Sequence, residues 1–390
     1  MTTRVILVSS ESVFHLPCRQ ARTGALIKGF QMTSQNIVIT RLSERANPHY
    51  GSIADIAGLH IGHFTSGQRL TGCSVVLAPQ GAVGGVDVRG AAPGTRETDL
   101  LDPSNLVDKV HAVLLSGGSA FGLDAASGVM RWLDERNMGF QTGHGCVPIV
   151  PAAVLFDLPM VREGDNAKIR PDAAAGYAAC EDALYQKPLT ASAMRSMVPP
   201  MSGNVGAGAG AAVGKLFGLQ RAMKGGIGHA LVRVGPWQVG AMVACNAVGD
   251  VIDPATGQVL AGARTADGTR LLNTQQALLA GQTAATPMPG TNTSIGIVAT
   301  NATLTKAQAK RLAMSAHDGF ARSIRPAHTT LDGDTLFAMA TCAETGPADM
   351  MLLTVMAAEA TAQATVNAIL FATGVHSLKG FLPSAMELNP

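Results

Sequence analysis

Five side chains in this sequence have types and settings that suit acyl transfer from an amide or ester. Thr293 stands where a Pro/Gly/Thr-rich stretch, residues 281–292, gives way to an apolar run, residues 294–299. A hydroxyl placed there is a candidate nucleophile, though a poor one at neutral pH without a base. Leu331-Asp332-Gly333-Asp334-Thr335 sets two carboxylates two residues apart, just before the apolar run 336–340. Lys215 closes the glycine-rich segment GNVGAGAGAAVG, residues 203–214. Asn246 falls in an apolar stretch, residues 242–248, expected to be a strand. A buried amide there must find hydrogen bonds or cost ~1–3 kcal/mol.

Each position also has an ordinary reading. Asp-Gly between extended segments is a turn signal, a threonine suits a strand, and a lysine is usually solvated. Spacing alone does not bring the five together. Rival motifs fail on inspection. In Ser116-Gly117-Gly118-Ser119-Ala120-Phe121-Gly122, two residues separate Ser119 from Gly122, so it is not GxSxG. Gly214-Lys215 is followed by Leu216, and Ala209 occupies the first glycine position of a phosphate-binding loop. His60 and His63 lack the glutamate of HExxH, and no metal or cofactor is expected. The residues by themselves lead to an α/β protein with a candidate threonine nucleophile.

The elements that must position these residues are built from small apolar side chains. The 390 residues are 47% hydrophobic but only 4% aromatic, with 44 glycines, so close backbone approach must replace aromatic bulk. Charged residues are 14%, against a usual ~25%, and the net charge is +2 with no basic run. A nucleic-acid groove is therefore not expected. Six scattered cysteines without a CxxC pair suit reduced thiols in the cytoplasm. Residues 351–375 are long enough to span a bilayer, but Thr354, Thr361, Gln363, Thr365 and Asn367 interrupt them, and a buried helix is expected instead. Residues 1–50 read as an extension, and residues 51–390 as one domain. Helices are expected over 120–137 and, behind the N-cap Thr305, over 306–324; strands are expected over 73–77, 110–115 and 294–299.

Several segments occur in one order: GSIADIAGLHIGHFTSGQRLTGCSVVLAPQ, HAVLLSGGSAFGLDAASGVMRWL, VPIVPAAVLFDL, SGNVGAGAGAAVGK, KGGIGHA, TNTSIGIVATNATLTKAQ and HTTLDGDTLFA. Together they resemble the β-aminopeptidase and L-aminopeptidase/D-esterase family over roughly residues 51–345. The nylon-oligomer endo-hydrolases, which use threonine, belong to the same family. The resemblance implies an αββα sandwich related to ornithine acetyltransferase and self-cleavage between Asn292 and Thr293. The products would be an α chain ending at 292 and a β chain, residues 293–390, with Thr293 as N-terminal nucleophile. It also implies that Lys215 and Asn246 approach the nucleophile and that Asp332 and Asp334 orient and polarise it. Phe156, in VLFD, stands at the substrate, where some relatives carry a tyrosine.

The activity implied is release of N-terminal residues from short peptides, amides or esters, including β- or D-amino acid derivatives. Endo-hydrolysis of ω-amino acid oligomers, acyl transfer to an amine, and a non-catalytic binding role are the alternatives. A homotetramer of processed units, without membrane or nucleic-acid partners, is expected.

Overall fold

Apolar residues on both faces of single strands dictate the architecture. Along Trp237–Cys245, Val239, Ala241, Val243 and Cys245 join one buried cluster, while Met242 and Ala244 join another. A strand apolar on both faces must be covered on both. The computed structural model describes residues 51–185, 202–283 and 292–388. The extension expected over 1–50 lies outside them, as does residues 284–291 of the stretch before Thr293.

Among the described residues nine strands form the main sheet: β1 (His60–Thr65), β2 (Gly72–Val88), β3 (Thr95–Arg96), β4 (Lys109–Ser116), β5 (Ala152–Val154), β6 (Gly226–Val234), β7 (Trp237–Cys245), β8 (Ile295–Ala302) and β9 (Thr335–Glu344). Their order is β6-β7-β8-β9-β2-β4-β5-β3, with β1 also on β2. The β8–β9 and β4–β5 pairs are parallel, and the others are antiparallel. The long strand β2 changes register between Leu77 and Ala82, where Gly81 takes φ +73°. Its first half pairs with β1 and its second half with β9, while β4 pairs with it on both sides of the register change, so one strand passes from one layer to the next.

Three stacked cores follow. Cys73, Val75, Leu77, Ala112 and Leu114 pack under helices α1 (Ala125–Asp134) and α2 (Ala173–Tyr185). Val76, Val113, Leu115, Leu231, Met242, Ile297, Phe337 and Met339 fill the space between the sheet layers. Val232, Val243, Val298 and Ala338 pack under α3 (Lys306–Ser323) and α4 (Met350–Leu370). The fold is therefore an αββα sandwich. Glycine sets the layer spacing, since a side chain at Gly228 would run into the α4 backbone at Ala364, and one at Gly62 into α2 at Ala179.

Thr305 caps α3 through a capping box with Gln308. The segment expected as one helix over 120–137 is a 3-10 turn, Ser119–Asp124, followed by α1, and a side chain at Gly122 in that turn would run into the carbonyl of Gly117. Helix α4 ends at Leu370, and Val375 already belongs to a short hairpin, Val375–Ser377 with Gly380–Leu382. Among the described residues no helix is long and apolar enough to cross a membrane. The five described cysteines are free thiols.

Candidate active site

Parallel pairing of β8 and β9 brings the candidate threonine to the carboxylates. The pairing continues past both strand starts, as Gly333 N donates to Asn292 O at 2.9 Å and Thr335 N to Ser294 O at 3.2 Å. Asn292-Thr293-Ser294 thus lies alongside Asp332-Gly333-Asp334. Gly333 is required here, because a Cβ would stand 2.9 Å from Thr293 Oγ1 and closer still to the Ala92 carbonyl. Thr293 is buried, and its Oγ1 donates to Asn292 O at 2.5 Å.

The two carboxylates face different ways, as alternation predicts. Asp332 Oδ2 accepts from Thr329 N (2.9 Å) and Thr329 Oγ1 (2.6 Å), and its Oδ1 from Val248 N (3.4 Å). Asp334 Oδ1 accepts from Ser294 N (2.8 Å), while its Oδ2 faces His328 N (3.2 Å) and His328 Nδ1 (2.8 Å). Burial, reinforced by the charge of Asp334, pushes the Asp332 carboxyl up to about 6. His328 and Thr329 hold the two carboxylates, and the sequence does not single them out. A Thr-x-x-Asp spacing, which suits a local side-chain turn, was the available signal.

Lys215 and Asn246 complete the group. Gly214, at φ +70°, turns the chain into the 3-10 turn Lys215–Phe217. Lys215 Nζ then donates to Asn246 O at 2.8 Å, and Thr293 N donates to the same oxygen at 3.2 Å. One carbonyl therefore joins the ammonium to the nitrogen of the Asn292–Thr293 peptide. Burial pulls Lys215 down to about 7, against the opposing pull of Asp332 and, more weakly, Asp334. Asn246 lies just past the end of β7 rather than within a strand reaching Val248. Its Oδ1 accepts from Ala212 N (3.0 Å), and its Nδ2 points toward Phe156 O (3.3 Å). It is the Phe156 backbone carbonyl that meets the site, while its side chain is half-buried.

All five positions singled out from the sequence therefore meet, together with Asn292 and the backbone of Phe156. The group offers a hydroxyl, a side-chain amide held at both ends, an ammonium and two ionisable carboxyls around one peptide bond. Among the described residues no set of three or more His, Cys, Asp and Glu side chains could hold a metal ion.

Residues 51–382 match the description "Peptidase family S58". The chain belongs to peptidase family S58. Among S58-like relatives, an uncharacterized aminopeptidase of Mycobacterium leprae is 48% identical over 304 residues, covering 74% of this chain and 78% of that protein. A 6-aminohexanoate-oligomer endohydrolase of Kocuria is 33% identical over 292 residues, covering 74% of each. The L-aminopeptidase D-Ala-esterase/amidase of Ochrobactrum anthropi, described as a variant of the Ntn hydrolase fold, superposes with a TM-score of 0.61 at 19% identity. That match covers 86% of this chain and 91% of the other, and at such identity it speaks for the fold. Membership of S58 makes the protein a hydrolase of the aminopeptidase and amidohydrolase type, with the sandwich that this family's fold requires.

Proposed function

We propose that the protein is a self-processing N-terminal threonine amidohydrolase, acting as an aminopeptidase on short peptides, amides or esters, β- and D-amino acid derivatives included. The observation that carries the reading is the contact between Thr293 Oγ1 and the Asn292 carbonyl, whose oxygen already accepts the Gly333 N–H. In processing, Oγ1 attacks the Asn292 carbonyl carbon and the Gly333 N–H stabilises the oxyanion. The C–N bond breaks, the Thr293 nitrogen takes up a proton, and water then hydrolyses the ester. A carboxylate at Asn292 and a free α-amine on Thr293 result.

That amine, with a reference pKa of ~7.7–8.0, becomes the base the hydroxyl lacked. In turnover Oγ1 attacks the substrate carbonyl, the amine product leaves, and water releases the acyl group. A charged Lys215 beside the amine favours its neutral form, and Asn246 Nδ2 is the side-chain donor for the oxyanion. Asp332 and Asp334 orient the amine and hydroxyl and offset the lysine. No step needs a metal or cofactor.

The 48% relative named as an aminopeptidase supports exo cleavage, whereas the 33% relative named as an endohydrolase supports a second reading, internal cleavage of ω-amino acid oligomers. A matched pair of amides, one with a free and one with an acylated amino terminus, separates them. The first reading predicts hydrolysis of the free amide only. Faster cleavage of blocked oligomers establishes the second, and processed protein inert toward both rules out either.

The charge states give a pH prediction. Below about 6 Asp332 takes up a proton and no longer offsets Lys215, and above about 7 Lys215 loses its charge. The kcat/KM profile is expected to fall on both sides of this interval. A profile that shows no fall either below about 6 or above about 7 would remove both groups from the mechanism. We further propose a cytoplasmic homotetramer of processed units, with the Phe156 side chain against the substrate; light scattering that finds a stable monomer contradicts the assembly.

A further inference from the structure

Lys224 is fully buried on the short strand Met223–Lys224, and nothing in the steps above uses it. Its Nζ donates to three backbone carbonyls, Gly208 O (2.9 Å), Ala211 O (3.0 Å) and Gly225 O (2.7 Å). Three donors meeting three acceptors saturate an ammonium. Burial alone would drive the group toward its neutral form, and the charge of Asp157 opposes that.

The cage carries consequence through one peptide group. The carbonyl of Ala211, held by Lys224, belongs to the same planar unit as the Ala212 N–H, and that N–H donates to Asn246 Oδ1 at 3.0 Å. Asn246 Nδ2 is turned the other way, toward the Phe156 carbonyl. The peptide carrying Phe156 O leads into Asp157, a buried carboxylate held by Thr71 Oγ1 (2.6 Å), Gly118 N (2.9 Å) and the Arg69 guanidinium (3.6 Å). The Asn246 amide is therefore gripped between two peptides, one tied to a buried cation and the other to a buried anion. With Oδ1 held by the Ala212 N–H, Nδ2 is the donor end of the amide, and beyond its contact with Phe156 O it keeps a second N–H to offer a developing oxyanion.

We infer that Lys224 is a positioning residue for amide hydrolysis: its caged ammonium fixes the Ala211–Ala212 peptide, which aims the Asn246 amide at the oxyanion. The inference rests on the reading of Thr293 and Asn246 as the reacting pair. A lysine in the core for stability alone would change the amount of folded protein, not the chemistry per folded molecule.

Three variants distinguish these roles, each measured for folding by circular dichroism and for kcat and KM. Lys224→Met keeps the bulk but leaves the carbonyls without a cation; kcat is expected to fall about 10²-fold with little change in KM. Lys224→Ala opens room for a small cation, so added methylammonium is expected to restore kcat saturably. In an Asn246→Ala background the Lys224→Met effect on kcat is expected to vanish, because both act through one amide. Wild-type kcat in folded Lys224→Met overturns the proposal. So does folded Lys224→Ala that methylammonium does not rescue, or loss of folding in both variants whether or not methylammonium is present. If instead Thr293→Ala remains active, it is the underlying site reading that falls.

Discussion

Replacing Thr293 with alanine is expected to leave the purified protein as a single uncut chain that hydrolyses no amide. The substitution removes the hydroxyl that rests on the Asn292 carbonyl and leaves intact the Gly333 N–H that holds the same oxygen. Oxyanion stabilisation without a nucleophile retains only a small fraction of catalysis, and losing a covalent nucleophile costs on the order of 10⁶-fold in kcat elsewhere. Processing and turnover should fail together, since one oxygen serves both. Thr293→Ser keeps the hydroxyl and is expected to retain both. Mass spectrometry and amide hydrolysis check the pair; an alanine variant that is cut at Asn292, or that turns over substrate, contradicts the assignment.

The second large effect is expected at the carboxylates. Each oxygen of Asp332 and Asp334 faces at least one N–H or O–H donor, drawn from Thr329, Val248, Ser294 and His328. Asparagine must therefore turn an NH₂ toward a donor, besides losing the charge that offsets Lys215. Leaving one such buried donor unmet costs ~1–3 kcal/mol, which a domain of this size can absorb without unfolding. Asp332→Asn and Asp334→Asn are each expected to slow processing and to lower kcat/KM by about 10²–10³-fold. Asp334 bears directly on the residue that follows Thr293, through Ser294 N. Its variant should lose most in kcat, by misplacing Thr293. A variant that is cut normally and keeps wild-type kcat/KM would make its aspartate an ordinary turn residue.

Much of this was legible in the sequence, for identifiable reasons. Strand faces follow side-chain alternation, so β4, β8 and β9 could be read from their apolar runs, and Thr305 from its cap. The resemblance supplied what spacing could not: that residues 215, 246, 293, 332 and 334, far apart in the chain, converge. What remained hidden is mediated by backbone. Phe156 stands out in the sequence as the place where some relatives carry a tyrosine, but it is its carbonyl that touches Asn246. Lys224 lay inside a quoted segment, KGGIGHA, yet its role depends on three carbonyls that no residue type announces. His328 and Thr329 lie only a few residues before the carboxylates in the sequence, and only the turn that folds them back reveals both carboxylates in their grip. The passage of β2 between layers was equally invisible, because the register change at Gly81 belongs to strand pairing rather than to composition.

The central claim is that the chain cuts itself between Asn292 and Thr293 and then works through the new amino terminus. Intact mass combined with N-terminal sequencing of the active protein tests it most directly. The account predicts two polypeptides that stay together in purification, the smaller reading Thr-Ser-Ile-Gly from its first residue. A single uncleaved chain with full activity, or a smaller fragment that begins at any other residue, would contradict it.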